Sequence, residues 1–358
     1  MTTPAYLVLS DGTVYKGRSF GASNGSTGEV VFNTSMMGYQ EMLTDPSYAG
    51  QILVSTYPLM GNYGINDEDD ESAHIQVTGF VVREHSERPS HYNSTRTLHE
   101  YLETQGIPGI SGVDTRAVTR RIRSSGVMMG AITTGDPQAA LEQLRASASY
   151  DSMDFVQSVS THEAYNWGPT DAKRRIAVVD CGVKYNILRS LSNRDCALRV
   201  FPATATLEEV MAFKPHGVLI SPGPGDPVHN QATVETAKGL IGKLPLMGIC
   251  LGHQVVSMAL GAQTYKLKFG HRGGNHPVQD LETGRVYITA QNHGYAVSDE
   301  KMPSELVVTH RNINDGTIEG VRHKSAPVMT IQYHSEASPG PLDNEYIFDK
   351  FMALVDGA

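Results

Sequence analysis

The 358-residue sequence holds only three cysteines, Cys181, Cys196 and Cys250, and a single tryptophan. Three thiols cannot staple a chain of this size, so a disulfide framework is excluded and a reducing, cytoplasmic setting is expected. Positive charge is also scarce: 29 Lys and Arg stand against 38 Asp and Glu, a formal net charge of −9. Binding to a phosphate backbone needs clustered cations, so nucleic acid is excluded as a partner class. No apolar run approaches the length of a membrane span, and the N-terminus lacks a basic-then-apolar secretion pattern. What remains is the composition of a soluble globular protein, 40% apolar and 19% charged, long enough for two domains. The run Asp67-Glu-Asp-Asp-Glu71 reads as a solvated loop, because adjacent acids point in different directions on any regular backbone.

The pattern changes near residues 150–172, where Ser147–Ser152 opens a polar stretch and Asn166–Ala172 closes it with turn formers. Residues 1–150 are read as an N-terminal mixed α+β domain, 151–172 as a linker, and 173–358 as an α/β domain with a mostly parallel sheet. In the first part, short β-type runs (6–9, 29–32, 51–55, 76–82) precede helices at Thr97–Gln105 and after Asp136-Pro137. In the second, strands at 175–180, 198–201, 217–220 and 246–249 alternate with helical spacing at 186–191, after Thr206-Leu-Glu-Glu209, and at 234–241. Such alternation predicts a parallel sheet covered on both faces, with ligands at the carboxyl ends of its strands. From about Thr264 the chain is β-rich, with a hairpin over Asn314-Asp-Gly316 and a closing helix at Glu345–Val355.

The residues that carry chemistry fall at those strand ends. Leu246–Ile249 runs into Gly248-Ile-Cys250-Leu-Gly252, followed by a helical stretch over Gln254–Leu260. This is the cysteine counterpart of the nucleophile elbow, with a glycine on each side where a β-carbon finds no room. A thiol at a helix N-terminus is favoured as thiolate. A nucleophile needs a base and the base an orienting group; Gln332-Tyr-His334-Ser-Glu336 supplies both, two residues apart on one extended face. A strand-end histidine taken alone is more often structural than catalytic. Its combination with an elbow cysteine and a nearby glutamate favours chemistry. The loop Ser221-Pro-Gly-Pro-Gly-Asp-Pro227 is either a rigid turn or a place where Gly223 and Gly225 bring main-chain N–H groups to a ligand. One of these with the N–H of Leu251 would form an oxyanion hole. A phosphate cradle is disfavoured, since no Gly-Lys-Ser/Thr follows and Asp226 repels phosphate. The histidines of 271–276 and His293 show no metal-ligand spacing, so no metal is expected.

Taken together, Pro222–Pro227, Gly248–Gln254, Gln291-Asn-His-Gly294 and Gln332–Glu336 resemble a class I, triad-type glutamine amidotransferase domain. The first half resembles the small-subunit family of carbamoyl-phosphate synthases, through Gly28–Ser35, Met37–Glu41, Leu43–Tyr48, Tyr57-Pro, Gly61-Asn62 and Ser111–Arg116; Asp180–Leu188 fits as well. The resemblance implies Cys250 as nucleophile, His334 as general base and acid, and Glu336 as its partner. It implies a glutamine site of Ser47, Gly223, Gly225, Leu251, Gln254, Asn292, Gly294 and Tyr295, with Ser47 reaching it from the other domain. Pro222 stands where Asn is frequent in the family, and Tyr295 where Phe is common. The resemblance further implies no cofactor in this chain, with ATP, Mg and bicarbonate on a large-subunit partner reached by an ammonia tunnel. The absence of a Walker-type loop agrees with that division. The rival readings are a stand-alone cysteine amidase or peptidase and a non-catalytic regulatory module.

Overall fold

The computed structural model describes residues 3–358, which divide into two compact units with the boundary between Met153 and Asp154. The first is built on strands β1 (Pro4–Leu9), β2 (Val14–Gly21), β3 (Ser26–Asn33), β4 (Gln51–Ser55), β5 (Leu59–Met60), β6 (Gly79–Val81), β7 (Glu84–His85), β8 (Pro108–Ser111) and β9 (Met128–Thr133). Seven of them close a barrel in the order β1-β2-β8-β6-β4-β3-β9, and β5 pairs with β7 in a separate ribbon. Helices α1 (Tyr39–Thr44), α2 (Leu98–Thr104), α3 (Thr115–Ser125) and α4 (Pro137–Ala146) accompany it. Val31, Leu53 and Phe80 of the barrel share one apolar cluster with Tyr39 and Leu43 of α1 and Leu98 and Leu102 of α2. The expected Thr97 start is an N-cap with a reciprocal Glu100 bond, and Asp136 caps α4 ahead of Pro137.

The acidic run corrects one expectation. Asp67 and Glu68 are exposed, but the Asp70 carboxylate accepts bonds from Gln40 and Tyr101, and Glu71 is buried. Its N–H donates to the Thr44 hydroxyl, so the segment folds back on α1 rather than standing in water.

In the second unit come α5 (Val156–Val159), β10 (Tyr165–Trp167), β11 (Arg174–Asp180), α6 (Tyr185–Ser192), β12 (Cys196–Pro202), α7 (Leu207–Ala212), β13 (Gly217–Ile220), α8 (Gln231–Leu240), β14 (Leu246–Ile249) and α9 (Leu251–Ala259). The β-rich end holds β15 (Thr264–Asp280), β16 (Val286–Val297), β17 (Leu306–Asn312), β18 (Ile318–His323) and β19 (Val328–Ile331), then α10 (Tyr346–Asp356). All ten strands form one sheet, β10-β12-β11-β13-β14-β19-β18-β17-β15-β16. The run from β12 to β19 is parallel and the remaining pairs are antiparallel. Along β11, Ile176 and Val178 pack with α6 and α10, while Ala177 and Val179 pack with α7, α8 and α9. This alternation is the strand period at work, and burying each such aliphatic side chain contributes about 1.5–3 kcal/mol.

The stretch read as a linker is partly ordered structure of this unit: α5 lies in it, and β10 pairs antiparallel with β12 at the sheet edge. Its polar and turn-forming residues hid a short half-exposed edge strand. Helix α9 also starts at Leu251, three residues before the apolar spacing suggests. A glycine at its second position is required, because a β-carbon on Gly252 would lie 2.1 Å from the Ile220 carbonyl oxygen.

Candidate active site

Four neighbouring parallel strands, β11, β13, β14 and β19, deliver the reactive residues at their carboxyl ends. At the end of β14, Cys250 has φ 52° and ψ −105°, a left-handed backbone setting that a side chain adopts only under constraint. The constraint is visible. The Cys250 N–H donates to Ile331 O of β19 at 2.8 Å, and Gly252 N–H donates to Ser221 O at 3.1 Å. A β-carbon on Gly248 would meet Gly252 O at 2.5 Å. The elbow is thus pinned from β19 on one side and the 221–227 loop on the other. Its thiol opens α9, whose first N–H groups have no partner within the helix.

The Cys250 Sγ–H points to Asn292 O at 3.6 Å. Across the same cleft, His334 N–H donates to Ala290 O at 2.9 Å, and the ring Nδ1–H donates to Glu336 Oε1 at 2.6 Å. Nδ1 carries the proton because a carboxylate only accepts. Among the described residues Nε2 meets no partner at full hydrogen-bond geometry, yet the Cys250 side chain is near enough to favour the protonated ring. Burial disfavours the imidazolium, but Glu336 first and then Cys250 outweigh it and raise His334 to about 10. Burial also opposes ionised Glu336; Lys184 and His334 reverse that and hold it at about 2. His334 and Glu336 are 3% and 0% exposed, so their charges act where water screens them little, and Cys250 beside them is 2% exposed.

The structure places the other expected residues as follows. Gly223 sits against Leu251, where a β-carbon would be 2.7 Å from Leu251 Cδ2 and 2.2 Å from Cys181 O; Gly225, in the same loop, has φ +83°. Asp226 turns away to cap its own short turn at Val228 N. The Gln254 amide donates to Tyr295 O at 2.9 Å and to Gln332 Oε1 at 3.0 Å, tying α9 to β16 and to the approach to His334. Asn292, Gly294 and Tyr295 all lie on β16, where the Asn292 carbonyl faces the thiol. Ser47 belongs to the first unit, on a 3-10 turn Pro46–Tyr48; its N–H is taken by Asp45, and its buried hydroxyl has no hydrogen-bond partner among the described residues. Ligand atoms of His271, His293 and Glu319 fall within 4.8 Å of one another, drawn together from β15, β16 and β18. Hydrogen bonds from His271 to Asp315, and from Gln291 to Glu319, already engage this group.

With that geometry in place, comparison with known proteins decides the family. Residues 7–132 match the family described as carbamoyl-phosphate synthase small chain, CPSase domain, and residues 177–354 match glutamine amidotransferase class-I. The carbamoyl phosphate synthase small chain of Bacillus caldolyticus is 51% identical over 353 residues, covering 98% of this chain and 96% of its own. Those of Syntrophotalea carbinolica and Methanopyrus kandleri are 48% and 49% identical, each covering 98% of this chain and 98% of their own. The chain belongs to the carbamoyl-phosphate synthase small-chain family.

Within this small chain, two residues at the site escaped the sequence reading. Lys184, 2% exposed, pairs with Glu336 Oε1 at 3.1 Å and donates to Ala337 O. Asn186 donates its side-chain amide to the Glu336 carbonyl. Both follow β11 in the Asp180–Leu188 segment, where Asp180 Oδ1 accepts from Gly182 N and Val183 N and so sets the turn. The legible signal was a lysine in a tight loop at the carboxyl end of the first parallel strand, a position that the fold turns toward ligands.

Proposed function

We propose that this chain is the glutamine-hydrolysing subunit of a carbamoyl-phosphate synthase. In this reading Cys250 forms a thioester with glutamine, and the ammonia released passes to a large synthetase subunit that uses bicarbonate and ATP. The observation that carries it is the strained Cys250 elbow at the head of α9, set beside a buried His334 held by Glu336.

With His334 raised to about 10, the proton given up by the thiol is held on Nε2, and the sulfur attacks the side-chain amide carbon of glutamine, forming the C–S bond as the carbonyl oxygen takes the charge. The oxyanion takes N–H groups of Leu251 and the Gly223 loop. Imidazolium His334 then protonates the leaving nitrogen, the C–N bond breaks and ammonia departs. Water, giving its proton to the same ring, cleaves the thioester to glutamate and restores the thiol. Glu336, fixed by Lys184, keeps Nδ1 protonated so that Nε2 is the working nitrogen. Gln254, Asn292, Gly294, Tyr295 and Ser47 are assigned to holding glutamine. No helix of the described residues is long and apolar enough to cross a membrane, and three unpaired cysteines suit a reducing cytoplasm.

The test is glutamine hydrolysis by the chain with its large-chain partner, together with labelling by a glutamine-like chloromethyl ketone. Wild-type protein should release glutamate and take up one equivalent of label, and Cys250→Ala should do neither. Labelling elsewhere, or turnover surviving in Cys250→Ala, would sink the assignment.

A further inference from the structure

Strand β15 does not run evenly. Its pairing with β16 shifts between Lys266 and His271 and again between Gly273 and His276. Between those bulges His271, Arg272 and Gly273 pair with His293, Asn292 and Gln291, in the stretch of β16 assigned to glutamine. Bulges beside functional sites re-aim side chains, and here the His271 ring lies edge-on to His293 with centroids 4.9 Å apart. Entry to the stretch needs Gly270, whose φ is +70° and where a β-carbon would lie 2.4 Å from His293 O.

His271 is buried and sits between two carboxylates. Its Nε2–H donates at 2.8 Å to Asp315 Oδ2, in the turn between β17 and β18, and its Nδ1 lies 3.5 Å from Glu319 Oε1 on β18. Burial opposes a charge here, but Asp315 and Glu319 outweigh it and raise His271 to about 9. Glu319, fully buried, is the junction of the strands around it. Its Oε1 accepts from Asn312 at 3.1 Å, its Oε2 from Gln291 at 3.0 Å, and its carbonyl from the Gln332 N–H at 2.9 Å. A buried carboxylate is costly unless paired and hydrogen-bonded, and His271 is the cation beside this one.

The arrangement reaches the glutamine strand through one amide. With Gln291 Nε2 given to Glu319, its Oε1 is left facing His293 Nε2 at 2.9 Å. The amide turned the other way would set its oxygen against the Glu319 carboxylate, so Glu319 selects the orientation. His293 Nδ1 lies 2.7 Å from Tyr295 O, so the ring is wedged between Gln291 and Tyr295 whichever nitrogen holds its proton. Between those two positions stand Asn292, whose carbonyl faces the thiol, and Gly294. Cys250 and Glu336 are pinned by other contacts, Ile331 O and Lys184.

We propose that His271, clamped by Asp315 and Glu319, is a positioning residue for glutamine: through Glu319, Gln291 and His293 it fixes the segment that carries Asn292, Gly294 and Tyr295. This rests on the proposed function in taking those residues as the glutamine site. His271 acts through others, so its loss should weaken glutamine binding while the thiol chemistry continues.

The experiment uses the full-length chain assembled with its large partner, as wild type, His271→Asn and Asp315→Asn. Asp315 is 41% exposed in its turn, so its variant keeps the test open if His271→Asn folds poorly. For His271→Asn the glutamine KM should rise roughly tenfold, with kcat and the ammonia-dependent rate within about twofold of wild type. Asp315→Asn should shift KM in the same direction by a smaller factor. A residue that merely held the fold would lower the melting temperature and the active fraction and leave KM alone. A second readout needs no substrate: the imidazole nitrogen signals of His293 in the free chain should move in both variants. Those of His253, bonded to Thr330, should stay in place. An unchanged KM in a folded His271→Asn, or a fall in kcat at constant KM, overturns the inference, as does an unmoved His293 signal. A wild-type complex that hydrolyses no glutamine counts against the proposed function, and the His293 signal still decides the coupling.

Discussion

At the scale of single residues the site is a set of buried charges that stabilise one another. His334 is raised from 6.5 to about 10, and Glu336 is lowered from 4.5 to about 2. A raised basic group stabilises the fold fully below its unfolded value and loses that contribution as pH climbs through the folded one; a lowered acid behaves in the opposite sense. The triad is therefore expected to stabilise the chain fully between about pH 4.5 and 6.5, less as pH rises toward 10, and less as it falls toward 2. Urea midpoints measured from pH 6 to 10 should decline more steeply in wild type than in His334→Asn; parallel slopes would contradict the ion-pair reading. The sequence displayed Cys250, His334 and Glu336 openly, because glycine flanks and strand-end position are local signals. Lys184 was hidden because its role depends on a contact with Glu336 across more than 150 positions of chain. For Lys184→Met we expect glutamine turnover to drop and the loss to be largest at acid pH, where Glu336 without its cation takes up a proton. A pH profile parallel to wild type would remove Lys184 from the support of Glu336.

At the scale of elements, the elbow works through crowding. Gly248 and Gly252 are places where β14, α9 and the 221–227 loop touch backbone to backbone. Gly252→Ala should cost about 1–3 kcal/mol by overpacking and should also displace the thiol, so denaturant midpoint and activity fall together. A stable variant of full activity would show that the turn tolerates a β-carbon. The alternating strands and helices of the second unit were readable from apolar spacing, with ends shifted by a few residues. Less readable were β10 and the barrel. The first is a three-residue edge strand in a polar stretch, and the second closes through pairs far apart in sequence, β1 with β9 and β2 with β8. Local periodicity reports burial on one face; it carries no record of which strand lies alongside.

At the scale of the whole molecule, the two units match two different family descriptions, and relatives of nearly equal length carry both. That pairing distinguishes this chain from a free-standing hydrolase, because Cys250, His334 and Glu336 all lie in the second unit and their chemistry alone does not call for a whole barrel unit. The proposed division of labour makes a separable prediction. Ammonia is protonated at neutral pH and then lacks the lone pair that attacks, so a protected path from Cys250 to the partner matters only when glutamine is the nitrogen source. Supplied as a high concentration of ammonium salt, ammonia can enter the partner from solution. In the assembled complex, Cys250→Ser should abolish glutamine-dependent carbamoyl-phosphate synthesis, a loss of several orders of magnitude, and leave the ammonia-dependent rate within about twofold of wild type. The measurement is carbamoyl-phosphate formation with bicarbonate and ATP, using each nitrogen source in turn. If Cys250→Ser also lost the ammonia-dependent rate while still assembling, the thiol would have a role beyond glutamine, and the assignment of hydrolysis to one chain and synthesis to the other would fail.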